Sequence, residues 1–153
     1  MKISRAFWDT SAIVPLCCQQ DSSAQFRRLR RQMPDVAAWW GASVEARSAL
    51  ARLLREGKLT AKGLQQAIAR LEAQRTAWLE ILPNEKIRLL AETMPEQYGL
   101  RALDAFQLAA ALAWCRERPR GRVFVCGDIL LARVAAQAGF TVEPVSKVES
   151  HKK

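Results

Sequence analysis

The chain has 153 residues, half of them hydrophobic and 25% charged, with only 7 Gly and 6 Pro, which excludes a disordered or fibrous chain. The length suits one domain able to bury a real core without disulfides. Net charge is +9, with 13 basic against 6 acidic side chains in residues 1–76 and 11 against 9 in residues 77–153, a surface that favours polyanionic partners without separating nucleic acid from an acidic protein.

In chain order, Ile3 to Trp8 reads as a short buried strand. Thr10 or Ser11 then starts a helix expected to run toward "SSAQFRRLRRQM", with Pro15 near its first turn. "DVAAWW" is a second strand, and "SVEARSALARLLREG" is a helix opening after Gly41 and stopped by Gly57. Leu64, Ile68, Leu71, Trp78, Leu79 and Leu82 recur at helical spacing, predicting one helix from Thr60 to Leu82 before Pro83. Its use is core packing, a dimer contact or a partner groove. "NEKIRLLAETM" is a shorter helix, and "LRALDAFQLAAALAWCRER" is a helix buried on most sides. "GRVFVC" is a strand, "DILLARVAAQAGF" a helix stopped at Gly139, and "FTVEPV" a last strand. Strand and helix alternate at both ends around a helical block. The expected fold is therefore a three-layer α/β/α sandwich with a short, mostly parallel sheet, over residues 1–147, followed by a polar tail at 148–153.

No segment reaches the roughly 18 to 20 apolar residues of a membrane span, and the first ten residues lack a signal-peptide core, so a cytoplasmic protein is expected. Cys17, Cys18, Cys115 and Cys126 form no CxxC and His151 is the sole histidine, which argues against zinc and for plain thiols in a reducing compartment.

Asp9 and Asp128 each follow an apolar strand-like run, which predicts that both stand at one edge of a parallel sheet, where functional groups gather. Asp104 lies near the start of the apolar helix, and Glu45 has Ser48 and Ala49 at i+3 and i+4, small side chains that leave room above a carboxylate. Taken singly these acids read as helix caps, first-turn charges or solvated residues. Taken together they would repel one another unless a divalent cation kept them ionised. An all-oxygen ligand set favours Mg²⁺ or Mn²⁺, able to activate water against a phosphodiester. Thr10 and Ser11 are either helix-starting residues or hydrogen-bond partners of a ligand.

The segments "FWDTSAIVPL", "ASVEARSALARL", "YGLRALDAFQLAAALA" and "VFVCGDILLARVAAQAGF" resemble, in order, the motifs of the PIN-domain family, and within it the VapC-like toxins of type II toxin–antitoxin pairs. The resemblance spans nearly the whole chain. It implies an endoribonuclease dependent on Mg²⁺ or Mn²⁺, with Asp9, Glu45, Asp104 and Asp128 as catalytic and metal-binding residues, an RNA substrate, a cognate antitoxin and a homodimer. One position departs from the family pattern: Cys126 stands where Thr or Ser is common two residues before the fourth acid, while Gln107, where His is common after the third acid, is a frequent polar substitute. Arg27, Arg28, Arg30 and Arg31 could meet RNA, an antitoxin or solvent alone. The alternative class is a non-enzymatic basic domain that binds nucleic acid or a partner. An aspartyl-phosphatase would need a second acid two residues after Asp9, where Ser11 stands.

Overall fold

The computed structural model describes residues 3–145, so the tail expected at 148–153 lies outside the described residues. Strands β1 (Arg5–Trp8), β2 (Asp35–Trp39), β3 (Leu79–Ile81), β4 (Val123–Val125) and β5 (Thr141–Glu143) form one sheet in the order β3-β2-β1-β4-β5. Every pairing is parallel, and β1 is central: Phe7 faces Ala37 of β2 and Phe124 of β4. The helices are α1 (Thr10–Cys17), α2 (Ser23–Gln32), α3 (Ala42–Arg55), α4 (Ala61–Arg75), α5 (Glu85–Tyr98), α6 (Ala102–Trp114) and α7 (Ile129–Ala138). This is a three-layer α/β/α sandwich around a short parallel sheet.

The layers follow from side-chain alternation along strands that are buried on both faces. Ala6 and Trp8 of β1 pack with Ile13, Phe26, Leu50 and Leu71 of α1 to α4. Phe7, on the opposite face, packs with Ile87, Leu108 and Leu131 of α5 to α7 and stacks on Phe124 at 5.5 Å. Among the described residues no helix is long and apolar enough to cross a membrane. Cys17, Cys18, Cys115 and Cys126 are all free and buried.

Three expected boundaries are corrected. The helix expected over Thr60–Leu82 ends at Arg75, and Leu79–Ile81 is the edge strand β3, paired with β2 through Glu80 and Ala38. Thr76 N–H still bonds Glu72 O, but Ala77 and Trp78 donate to Gln74 and Arg75, a tightening that turns the chain into the sheet. Trp78, Leu79 and Leu82 fit a helical period as well as they fit a short strand, so periodicity alone could not separate the two. The helix expected to run from Thr10 or Ser11 toward "SSAQFRRLRRQM" ends at Cys17 as α1, and that segment forms a separate helix, α2. Ser23 Oγ donates to Cys18 O at 3.1 Å and accepts from Gln20 N–H at 2.8 Å, closing the turn between them. Helix α5 runs past Met94 and through Pro95 to a left-handed Gly99 at φ 69°. Near a helix end Pro removes one backbone bond, and packing against α6 keeps the turn helical.

The chain winds from β1 outward to β2 and β3, then crosses through α5 and α6 to β4 on the other side of β1. The direction of winding therefore reverses between β1 and β4. At such a reversal the loops leaving adjacent strands diverge to opposite faces and leave a crevice at the carboxyl ends.

Candidate functional site

Asp9 is the residue after β1, and its N–H bonds Val125 O of β4 at 3.0 Å. Its carboxylate caps α1: Oδ2 accepts from Ser11 N–H at 3.1 Å and from Ser11 Oγ, and Cys126 Sγ lies 3.6 Å away. These contacts all fall on Oδ2, leaving Oδ1 outside that network. Capping and a place in the crevice are thus one conformation of one residue. Ser11 Oγ also accepts from Gly127 N–H at 2.8 Å, tying the loop after β4 to α1.

Asp128 caps α7, its Oδ1 accepting from Leu131 N–H at 2.8 Å. Cys126 accepts from Asp128 N–H at 3.4 Å, so the thiol stands between the two aspartates that flank the crevice. Burial pushes the Cys126 thiol well up, with the charge of Asp9 adding to it, which keeps the sulfur protonated and a poor metal ligand.

Glu45 sits in the first turn of α3, just past the carboxyl end of β2. Gln107, one turn into α6 and fully buried, donates to Thr10 Oγ1 at 2.9 Å and to Glu45 Oε2 at 3.4 Å. Among the described residues Glu45 Oε1 is buried with no hydrogen-bond partner. Asp104 lies in the first turn of α6, one turn before Gln107, so the same helix brings one acid and one amide to the crevice.

Asp9, Glu45, Asp104 and Asp128, from four elements of the chain, line one cavity of about 510 Å³, together with Thr10, Ser11, Ser48, Arg52 and Arg55. Among the described residues none of the four acids forms an ion pair, so the arginines share the wall without neutralising it. Burial pushes Asp9 up to about 6, against the hydrogen bonds from Ser11, with the charge of Asp104 adding to it. Burial pushes Glu45 up to about 7, with Asp9 and Asp104 raising it further. Asp104 is raised by burial first and by Asp128 second. Partial burial and like-charge neighbours are the two causes that hold protons on carboxylates.

The donor chemistry fits a hard divalent cation: carboxylate oxygens, one of them buried and unpartnered, beside a protonated thiol. Among the described residues no three Asp, Glu, Cys or His side chains already stand as a closed ligand set. Thr10 and Ser11 are both engaged within the protein, as an acceptor for Gln107 and as the link between Asp9 and Gly127. Of the arginines in "RRLRR", Arg30 is tied to Pro34 O at 2.7 Å and Arg27 to Gln19 at 3.2 Å, on α2 and away from the cavity lining. Sequence reasoning gave little weight to Gln107 and none to Arg52 and Arg55 as parts of this wall. The lone polar residue in a run of alanines and leucines was the available signal for Gln107. Compared with models of known protein families the chain matches none, and a comparison with curated proteins returns no match.

Proposed function

We propose that this chain is a divalent-metal-dependent endoribonuclease of PIN-domain type and the toxin of a toxin–antitoxin pair. The observation that carries the nuclease reading is the meeting of Asp9, Glu45, Asp104 and Asp128, distant in sequence, in one cavity at the reversal point of a parallel sheet. The resemblance of the four motifs to VapC-like proteins carries the assignment to a toxin, with an antitoxin and a second copy of the chain as partners.

Asp9, Asp104 and Asp128 would hold the ion, with Glu45 completing the set or orienting water. A bound Mg²⁺ or Mn²⁺ would supply Lewis-acid activation of water and neutralise charge gained by the phosphodiester. The protein's own part is positional. Ser11 fixes the Asp9 carboxylate, Gln107 fixes Glu45 through one oxygen and leaves the other open, and Gly127 keeps Asp128 against α1. Arg52 and Arg55, on the same wall, offer cationic forks to flanking phosphates.

The test is hydrolysis of RNA by the purified protein. Cleavage that is lost with EDTA, restored by Mg²⁺ or Mn²⁺, and absent from Asp9→Asn is the expected result. RNA binding without metal-dependent cleavage would favour the non-enzymatic alternative.

A further inference from the structure

A second cavity, of about 410 Å³, lies at the opposite end of the sheet from the acids and is lined by Arg5, Arg116, Arg118 and Arg122 with Leu79 and Trp114. Arg5 and Leu79 are the first residues of β1 and β3, and Arg122 immediately precedes β4, which puts this cavity at the amino ends of the strands. Asp9 and Arg5 are four residues apart along one extended segment, about 13 Å. The two cavities therefore cap opposite ends of the same sheet with opposite charge.

The arginines come mostly from the α6–β4 connection, "CRERPRGR", where basic residues alternate over 116–122. Its backbone is bent sharply: Arg116 and Glu117 have φ of 54° and 57°, and Gly121 has 76°. Left-handed backbone at two non-glycine residues costs free energy, and the bonds from Glu117 N–H to Leu112 O at 2.7 Å and from Arg118 N–H to Cys115 O at 3.1 Å hold it. Arg122 Cζ lies 5.5 Å from the centroid of the Trp114 ring, a cation–π contact that holds the guanidinium beside the recess. Among the described residues none of these four arginines is ion-paired or donates a side-chain hydrogen bond, while the nearby Glu117 is taken by Lys86 at 3.1 Å.

Four guanidinium forks without a partner among the described residues, around one recess, repel one another and are relieved by an anion. We infer that this cavity binds the backbone phosphates of a single-stranded polynucleotide. Leu79 and Trp114 are its main apolar lining, which does not give the deep aromatic or aliphatic pocket in which a peptide partner anchors. The inference does not rest on the acids: it concerns binding at the far end of the sheet and is measured without turnover.

The experiment uses a labelled single-stranded RNA oligonucleotide in EDTA over a series of salt concentrations. The Arg116→Gln/Arg118→Gln protein, both sites exposed, is compared with Lys62→Gln/Arg133→Gln, which removes equal charge away from both cavities. The loop variant is expected to bind about tenfold more weakly and to lower the salt slope by about 1.4, since each of two single-strand phosphate contacts contributes roughly 0.7. The control is expected to change less than about threefold. Adding Arg122→Gln is expected to deepen the loss; circular dichroism establishes that each variant is folded, and the double variant decides if the triple is not. Equal losses in loop variant and control, no RNA binding by the natural chain, or displacement of RNA by polyglutamate at equal charge concentration would each overturn the inference. Absence of metal-dependent cleavage by the natural chain, with this binding intact, would count against the nuclease reading alone.

Discussion

Gln107 and Glu45, 62 residues apart, are joined by a 3.4 Å hydrogen bond in which the fully buried amide donates to a half-buried carboxylate. The same amide group donates to Thr10 Oγ1 at 2.9 Å, so one side chain on α6 ties together the starts of α1 and α3. Its burial on a helix whose only other polar side chain is Asp104 is explained by those two bonds.

Gln107→Leu should therefore destabilise the protein by about 1–3 kcal/mol, the cost of leaving buried polar partners unmatched when the shape is kept. Urea unfolding would register this as a lower midpoint with an unchanged slope. An unchanged midpoint would show that Thr10 and Glu45 find other partners.

Asp9→Asn and Asp104→Asn should each reduce RNA cleavage by more than about a hundredfold, because residues only adjacent to metal ligands already cost 10–100-fold. Both proteins should still bind RNA in EDTA as tightly as the natural chain. Full cleavage by either variant would remove that acid from the site.

The convergence of Asp9 and Asp128 was legible because each follows an apolar run short enough to be a buried strand, and parallel strands put their exits on one edge. Glu45 and Asp104 were legible only as acids in first helical turns; that α3 and α6 open beside the same crevice depends on strand order, which no local pattern encodes. The edge strand β3 was hidden because three residues of Trp78–Leu82 satisfy both periods, and what decides between them is a hydrogen-bonding partner, β2, forty residues away in sequence. The arginines at 116–122 are plain in the sequence as charges, but their convergence with Arg5 is tertiary.

Metal-free protein should lose stability as pH rises. Folded Asp9 keeps its proton up to about 6 against an ordinary value of 3.8, so between those values the folded state binds more protons than the unfolded one. Stability then falls with increasing pH, by up to about 3 kcal/mol for this group, with the loss complete above about pH 7. Glu45, raised to about 7, acts in the same direction and extends the window upward, with its partial exposure screening the effect. Asp9→Asn should be more stable than the natural chain at about pH 8 in EDTA and lose that advantage near pH 4, and Mg²⁺ should stabilise the natural chain more than the variant. Urea unfolding across pH checks both; a natural chain with flat stability from pH 4 to 8 would contradict the assigned cause.

Gly127 sets how closely the two aspartate loops approach. A Cβ there would meet Ser11 O at 3.1 Å and Phe26 Cζ at 3.3 Å, closer than ordinary contact. Ser11 O lies four residues before Pro15, which has no N–H to give it, so the carbonyl is exposed to the glycine instead of being held in the helix ladder. Gly127→Ala must push the β4–α7 connection away from α1 by a few tenths of an ångström, stretching the 2.8 Å bond from Gly127 N–H to Ser11 Oγ. Asp128 follows directly, while the core beneath it, Val125 and Leu131, is untouched. The expected result is a small stability loss, about 1 kcal/mol, beside a cleavage loss of about tenfold or more, since small misplacements of reacting groups cost far more in rate than in folding. Ser11→Ala, which breaks the same link from the other side, should reproduce that imbalance. Proportionate losses in both quantities would mean that the glycine serves packing alone.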